Sequence, residues 1–425
     1  MNTLRDNDNE LFRFLNTSTS PYHAVQNVRE YLLEADFTQL DEQTPWELSA
    51  GGYFIERDGS IAAWYFRNLK EAANGLAIVA AHTDSPNLRL KPVLKGDQVG
   101  LSQFGVEVYG GALLNSWLDR DLGISGRLIT LSTGGVIKEN LVQINEPLAK
   151  IPQLAIHLNR SVNENGLILN PQQHLRPIWN DTSSDTANLI DFISSAAGID
   201  RQRIQSWDLM LHDLQKASFV GADKQWIASA RIDNLISCYA ALSSFTKSAS
   251  DKQFKRMPIL CLFNHEEVGS TSAAGAAGNL LPLLIHRIFK GIDQSEALAK
   301  STLVSADGAH ATHPNYLEKH DLDHEIRMNA GIAIKRNSNE RYATNAIGQA
   351  TAQNICESNA IPYQLFSNRS DLACGSTIGP ISSANLGINT IDLGVPQLSM
   401  HSTRELCGES DVLALENFLF NFFES

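Results

Sequence analysis

Four short apolar runs limit what this chain can fold into more than any other feature. They are Leu76-Ala-Ile-Val-Ala-Ala-His82, Met257-Pro-Ile-Leu-Cys-Leu-Phe263, Ser301-Thr-Leu-Val-Ser-Ala306 and Ile388-Asn-Thr-Ile-Asp-Leu393. A strand covered on both faces reads as a near-continuous apolar run, without the alternation of a half-exposed one. Stretches with helical character lie between and after them, within Leu235 to Phe245, Ala273 to Phe289, Ala343 to Ser358 and Val412 to Phe422. Strands alternating with helices predict an α/β fold in which a mixed, largely parallel sheet is sandwiched by helices. A further helical reading covers about 8 to 34. There Leu11, Phe12, Phe14 and Leu15 begin an apolar stripe, and Ala24, Val25, Val28, Tyr31 and Leu32 continue it.

From about Lys91 the rhythm changes. Val106-Glu-Val-Tyr109, Gly126-Arg-Leu-Ile-Thr-Leu131 and Val136-Ile137 are short and β-like, and the pairs Gly110-Gly111 and Gly134-Gly135 punctuate them. This section closes between Asp208 and Val220, and Trp226-Ile-Ala-Ser-Ala230 leads back towards strand. Residues 91–222 are therefore expected to form a β-rich second domain, inserted into a discontinuous domain made of 1–90 and 223–425. A chain of 425 residues is long enough for both.

Composition excludes some partners. The chain has 47 acidic and 34 basic residues, a net charge of −13, which repels nucleic acid and anionic lipid. No run of about 18 apolar residues occurs, so no membrane span is expected. Met1 to Glu10 is polar and lacks the apolar centre of a signal peptide. The five cysteines are scattered and form no CxxC pair, which suggests neither a disulfide framework nor a thiolate metal site. The expectation is a cytoplasmic protein.

Polar residues gather where the apolar runs stop. His82-Thr83-Asp84 ends the first run, Glu266-Glu267 follows the second, Asp307 the third, and His401 the fourth after a loop. Ligands of open α/β sheets collect at the carboxyl ends of strands, so these residues can converge. A carboxylate near a metal-binding imidazole can hold its other N–H, but a capped turn explains His82 and Asp84 equally well. Neighbouring carboxylates such as Glu266 and Glu267 can divide metal binding from proton transfer. They can also be a solvated acidic pair. Asp233 stands between strand and helix, where a helix N-cap is the alternative. His310 and His313 have ligand-like spacing that loop polarity explains as well.

Taken together, longer segments resemble the aspartyl aminopeptidase family of dinuclear zinc exopeptidases. They are Ala81-His-Thr-Asp-Ser-Pro-Asn-Leu-Arg-Leu-Lys-Pro92, Ile156-His-Leu-Asn-Arg160, Ala230-Arg-Ile-Asp-Asn-Leu235, Asn264-His-Glu-Glu-Val-Gly-Ser270, Ser305-Ala-Asp-Gly-Ala-His310, Arg341-Tyr-Ala-Thr344, Cys374-Gly-Ser-Thr-Ile-Gly-Pro380 and Gln397-Leu-Ser-Met-His-Ser402. They follow in family order across nearly the whole chain. Ala373 is a small departure from the resemblance, since proline is expected there in many relatives.

The resemblance implies a metallo-aminopeptidase with two zinc ions per subunit. His82, Asp233 and Asp307 would hold one ion, and Asp233, Glu267 and His401 the other. Manganese or cobalt are possible substitutes for zinc at such a donor set. It implies Glu266 as general base, acting on a zinc-bridged water, and Asp84 as the partner of His82. His157, reaching in from a neighbouring subunit, Lys335 and Tyr342 would contact the peptide substrate, with Lys335 favouring an acidic first residue. The inserted domain would make dimers that assemble into a tetrahedral dodecamer. The alternatives are an aminopeptidase of neutral preference, another dizinc amide hydrolase such as a deacylase, or a non-catalytic assembly or cargo protein. The last has no use for a base beside five ligands, and all six residues are present.

Overall fold

In the computed structural model, which describes residues 9–94, 96–184, 188–290 and 293–425, Leu76–His82 is a wholly buried strand inside a nine-stranded sheet. It runs parallel to Met257–Phe263 on one side and to Thr302–Ala306 on the other. Thr302–Ala306 in turn runs parallel to Asn389–Gly394. Its side chains alternate between two cores. Ala77, Val79 and Ala81 meet the core that holds the helices Glu10–Thr17, Pro21–Glu34, Ile232–Asp251, Ala346–Ser358 and Glu409–Glu424. Leu76, Ile78 and Ala80 meet a second core with the helix Leu280–Ile288. Both faces are covered, which is why the run shows no polar alternation. Antiparallel pairs at Gly51–Arg57 with Ser60–Phe66, and at Ile332–Arg336 with Asn389–Gly394, make the sheet mixed.

Register sets up the site. Phe263 pairs with His82, Ser305 with Ala80 and Ala306 with Leu393. The three central strands therefore end together, and the residues just beyond them share one rim.

Two differences from the sequence reading have local causes. The helix expected over 8–34 is two helices, broken at Ser18–Ser20, where the Ser20 side chain caps a new start at Pro21. Proline fits the first turn of a helix and stops one already running. Residues 1–8, most of the polar stretch Met1–Glu10, lie outside the described residues. The second difference is the hairpin Gly51–Arg57/Ser60–Phe66. Its turn is Asp58-Gly59, with φ of 47° and 81°, a two-residue signal present in the sequence and not used there.

A separate, wholly antiparallel five-stranded sheet contains Val106–Tyr109, Asn87–Leu90, Ile204–Asp213, Leu122–Leu131 and Ile137–Ala149, in that order, over its own core of Leu88, Ile124, Leu128 and Leu209. It already includes Asn87, four residues before the expected boundary. At the other end, Ser218–Val220 pairs with Trp226–Ser229 in a different sheet. Among the described residues no helix is long and apolar enough to cross a membrane.

Candidate metal centre

The chain leaves the strand Trp226–Ser229, turns through Arg231 in left-handed backbone, and enters the helix Ile232–Asp251. Asp233 keeps extended backbone (φ −79°, ψ 104°) inside the first turn, so it is not the cap considered above. Its carboxylate stands between two imidazoles. Oδ1 is 3.3 Å from His82 Nε2, and Oδ2 is 3.5 Å from His401 Nε2. Asp307 Oδ1 approaches His82 Nε2 at 3.8 Å, and Glu267 Oε2 approaches His401 Nε2 at 3.4 Å. Ligand-type atoms of His82, Asp233 and Glu267 all lie within 4.8 Å of one another. The five candidate ligands thus form two overlapping triads that share Asp233.

The donor chemistry fits a divalent cation. Asp233 Oδ1 and Glu267 Oε1 are buried with no hydrogen-bond partner among the described residues. Buried carboxylate oxygens in that state are costly unless a cation neutralises them. Imidazole and carboxylate without thiolate is a zinc-type set. With the protein groups alone, the imidazoles supply the missing positive charge. Although burial opposes it, Asp233 and Glu267 push His401 up to about 10. His82 is likewise raised against burial, by Asp233, Asp307 and Asp84. A bound cation would displace these protons. Burial, then the charges of Asp307, Asp84 and Asp233, with His82 opposing, raise Glu266 to about 8. Its carboxylate makes no hydrogen bond or ion pair among the described residues, unlike the ligand-type groups around it.

Asp84, fully buried, holds the neighbourhood together. Its carboxylate accepts from Tyr109 Oη at 2.6 Å and from the N–H groups of Glu266 and Glu267 at 3.1 Å each. His82 Nδ1 is 2.9 Å from the Asp84 carbonyl and 3.6 Å from its carboxylate. With Nδ1–H held by these acceptors, the Nε2 lone pair aims at the triads. The β-rich unit presses on the same residues. A Cβ at Gly110 (φ 69°) would stand 3.0 Å from Glu267 Cβ, and one at Gly111 would stand 3.2 Å from His401 Nδ1. His401 Nδ1 also lies 3.0 Å from the Gly111 carbonyl. The glycine pair read as turn punctuation is a close-approach site.

Of the remaining candidates, Lys335 stays beside the triads, its Nζ 4.0 Å from Asp307 Oδ2. Lys335 is 1% exposed and donates to the carbonyls of Asp307 (3.1 Å) and Gly308 (3.0 Å), with its Nζ 4.9 Å from the Tyr342 ring centre. Tyr342 is buried beside Phe366. His157 lies on an exposed turn, Ile156–Leu158, and no hydrogen bond or ion pair joins it to the triads among the described residues. Nor does either His310 or His313 make an ion pair there. Sequence reasoning missed Tyr109 and the buried acid Glu405, which accepts from the Asp233 and His401 N–H groups.

The family model described as Aminopeptidase I zinc metalloprotease (M18) matches residues 14–423. The Probable M18 family aminopeptidase 2 of Streptomyces coelicolor is 44% identical over 430 residues, covering 99% of this chain and 98% of that protein. A chain in the structure of the Ape4 and Nbr1 complex superposes with a TM-score of 0.94 at 35% identity, covering 98% of this chain and 85% of that one. The structure of the S. cerevisiae mApe1 dodecamer gives a TM-score of 0.85 at 29% identity, covering 98% of this chain and 95% of that one.

Proposed function

Because the chain belongs to the aminopeptidase I zinc metalloprotease (M18) family, and is thereby a zinc-dependent hydrolase of N-terminal peptide bonds, we propose how its residues divide that work. His82, Asp233 and Asp307 hold one zinc ion, and Asp233, Glu267 and His401 hold the second. The observation that carries this reading is the single Asp233 carboxylate aimed at both imidazoles. When bound, zinc supplies Lewis acidity towards the scissile carbonyl and towards water. Glu266, unengaged beside the triads, takes a proton from the attacking water and returns it to the leaving amine nitrogen. Asp84 fixes the tautomer of His82 and the backbone of both glutamates. Tyr342 orients the substrate carbonyl. His157 of a neighbouring subunit donates to the carbonyl oxygen as negative charge develops there.

Assembly follows from the same reading. The β-rich unit, expected at 91–222, makes dimers that build a homododecamer, the assembly in which S. cerevisiae mApe1 is found. Leu154, Ile156 and Leu158 are exposed around His157, an apolar patch suited to a subunit contact. A cytoplasmic location agrees with five cysteines that are all free.

For the first substrate residue, a neutral preference is better supported than the acidic one. The relatives' names specify aminopeptidase and no acidic residue. Lys335 already spends two donors on backbone carbonyls that carry the Asp307 turn. The acidic preference is a second reading favoured by one observation, a buried ammonium beside Tyr342, where a substrate carboxylate would meet a desolvated partner. Chelation should abolish hydrolysis of aminoacyl substrates, and zinc should restore it. Full activity in verified metal-free protein refutes the metal reading. A substrate panel on wild type and Lys335→Met separates the preferences. Equal loss on Asp and Leu substrates marks Lys335 as a brace, and selective loss on Asp marks it as the acidic pocket.

A further inference from the structure

Glu405 is 2% exposed and opens the short strand Glu405–Gly408. One of its oxygens, Oε2, accepts from the Asp233 N–H at 3.0 Å, and the other, Oε1, accepts from the His401 N–H at 2.7 Å. These two residues come from unrelated segments. Asp233 sits in extended backbone within a helical turn, and His401 sits in left-handed backbone (φ 68°) in a loop. Neither conformation belongs to a regular element that would hold it in place. A carboxyl group with one oxygen on each N–H fixes the separation of the two segments. The acid stands where negative charge is already crowded, since Asp233 is its principal charged neighbour. A neutral side chain would relieve that crowding. Glutamine, however, has one acceptor oxygen and would turn an NH2 group on the other N–H.

We propose that Glu405 is a positioning residue of the metal centre, setting the spacing and aim of Asp233 and His401 through their backbone. The inference rests on the reading of those two residues as ligands. It differs from a purely structural role, in which Glu405 closes a strand end and its loss lowers stability while the cation sites keep their geometry.

The full-length protein loaded with cobalt(II) tests this. Wild type, Glu405→Gln, His401→Ala and Asp411→Asn are compared by visible absorption spectrum and by cation affinity in chelator competition. Asp411 is the control, a buried carboxylate that accepts from the N–H groups of Asn329 and Gly331 and makes no bond to the triads. Glu405→Gln should shift the spectrum and weaken at least one cation about tenfold or more, within the range usual for partners of metal ligands. It should lower kcat more than it raises KM. Asp411→Asn should lower the melting temperature alone. A Glu405→Gln protein with wild-type spectrum and affinity overturns the proposal if His401→Ala weakens binding. If His401→Ala binds normally, the ligand assignment itself falls, and this inference with it. Should Glu405→Gln fail to fold, Glu405→Asp keeps both carboxyl oxygens but is one methylene shorter and cannot reach both N–H groups from the same backbone. Wild-type spectrum and affinity in that variant overturn the proposal equally.

Discussion

Replacing Asp84 with asparagine should damage the site by a calculable amount. The carboxylate serves Glu266 N–H through Oδ1, and Tyr109 Oη with Glu267 N–H through Oδ2. Asparagine offers one acceptor oxygen. If that oxygen takes the place of Oδ2, its NH2 group faces the Glu266 N–H. In the opposite orientation it faces the Glu267 N–H. Either way at least one part-buried donor is stranded, at about 1–3 kcal/mol. At about 1.4 kcal/mol per tenfold, that is roughly 5- to 150-fold, borne by the backbone of the proposed base or ligand. Loss of a partner behind a metal-binding imidazole costs about 10- to 100-fold in affinity or activity, an independent figure of the same size. Chelator competition should therefore show weaker zinc binding, steady-state hydrolysis of an aminoacyl anilide should show lower kcat/KM, or both, by about 10- to 100-fold. Asp84→Asn within twofold of wild type on both measurements would refute the reasoning.

Three further outcomes are expected. Glu266→Gln should keep its metal, read by elemental analysis, and lose turnover by about 100-fold or more. Glu267→Gln should weaken one cation, and the reverse pattern would exchange their roles. Mixing inactive Glu266→Gln with inactive His157→Phe under subunit exchange should restore part of the activity, and proven exchange without rescue would place His157 outside a neighbour's site. Away from the site, burial, with Lys247 opposing and Glu10 adding, raises Glu416 from 4.5 to about 7. A raised folded-state value means that its contribution is fully present below about pH 4.5 and is lost as pH rises through 7, by about 3 kcal/mol. Glu416→Gln should thus melt higher than wild type at pH 8, with that advantage gone near pH 4.5. An equal gap at both pH values would refute it.

The core strands were legible because burial on two faces leaves a mark in every residue. Leu76–His82 and Met257–Phe263 match their apolar runs end to end. The ligand candidates were legible for a related reason: strands that stop together place their next residues together. Other features leave weaker marks. Ile332–Arg336 is a short strand whose last two residues, the buried Lys335 and the exposed Arg336, are charged, which masks the apolar pattern. Tyr109 acts through Asp84, distant in sequence, and Glu405 ties the nearby His401 to the distant Asp233, so no local pattern announces either role. The break at Ser18–Ser20 and the Asp58-Gly59 turn were written in the sequence, as a proline after a capping serine and as a hairpin dipeptide.

The order of the triad residues along the chain has a consequence for synthesis. His82 emerges from the ribosome long before His401 and the loop that aims it. On the proposed ligand assignment, a chain interrupted before that loop has one of the two imidazoles that hold the cations. On that assignment, copies stopped before the loop should be silent towards the other nascent chains around them, with peptidase activity beginning only after the loop is made.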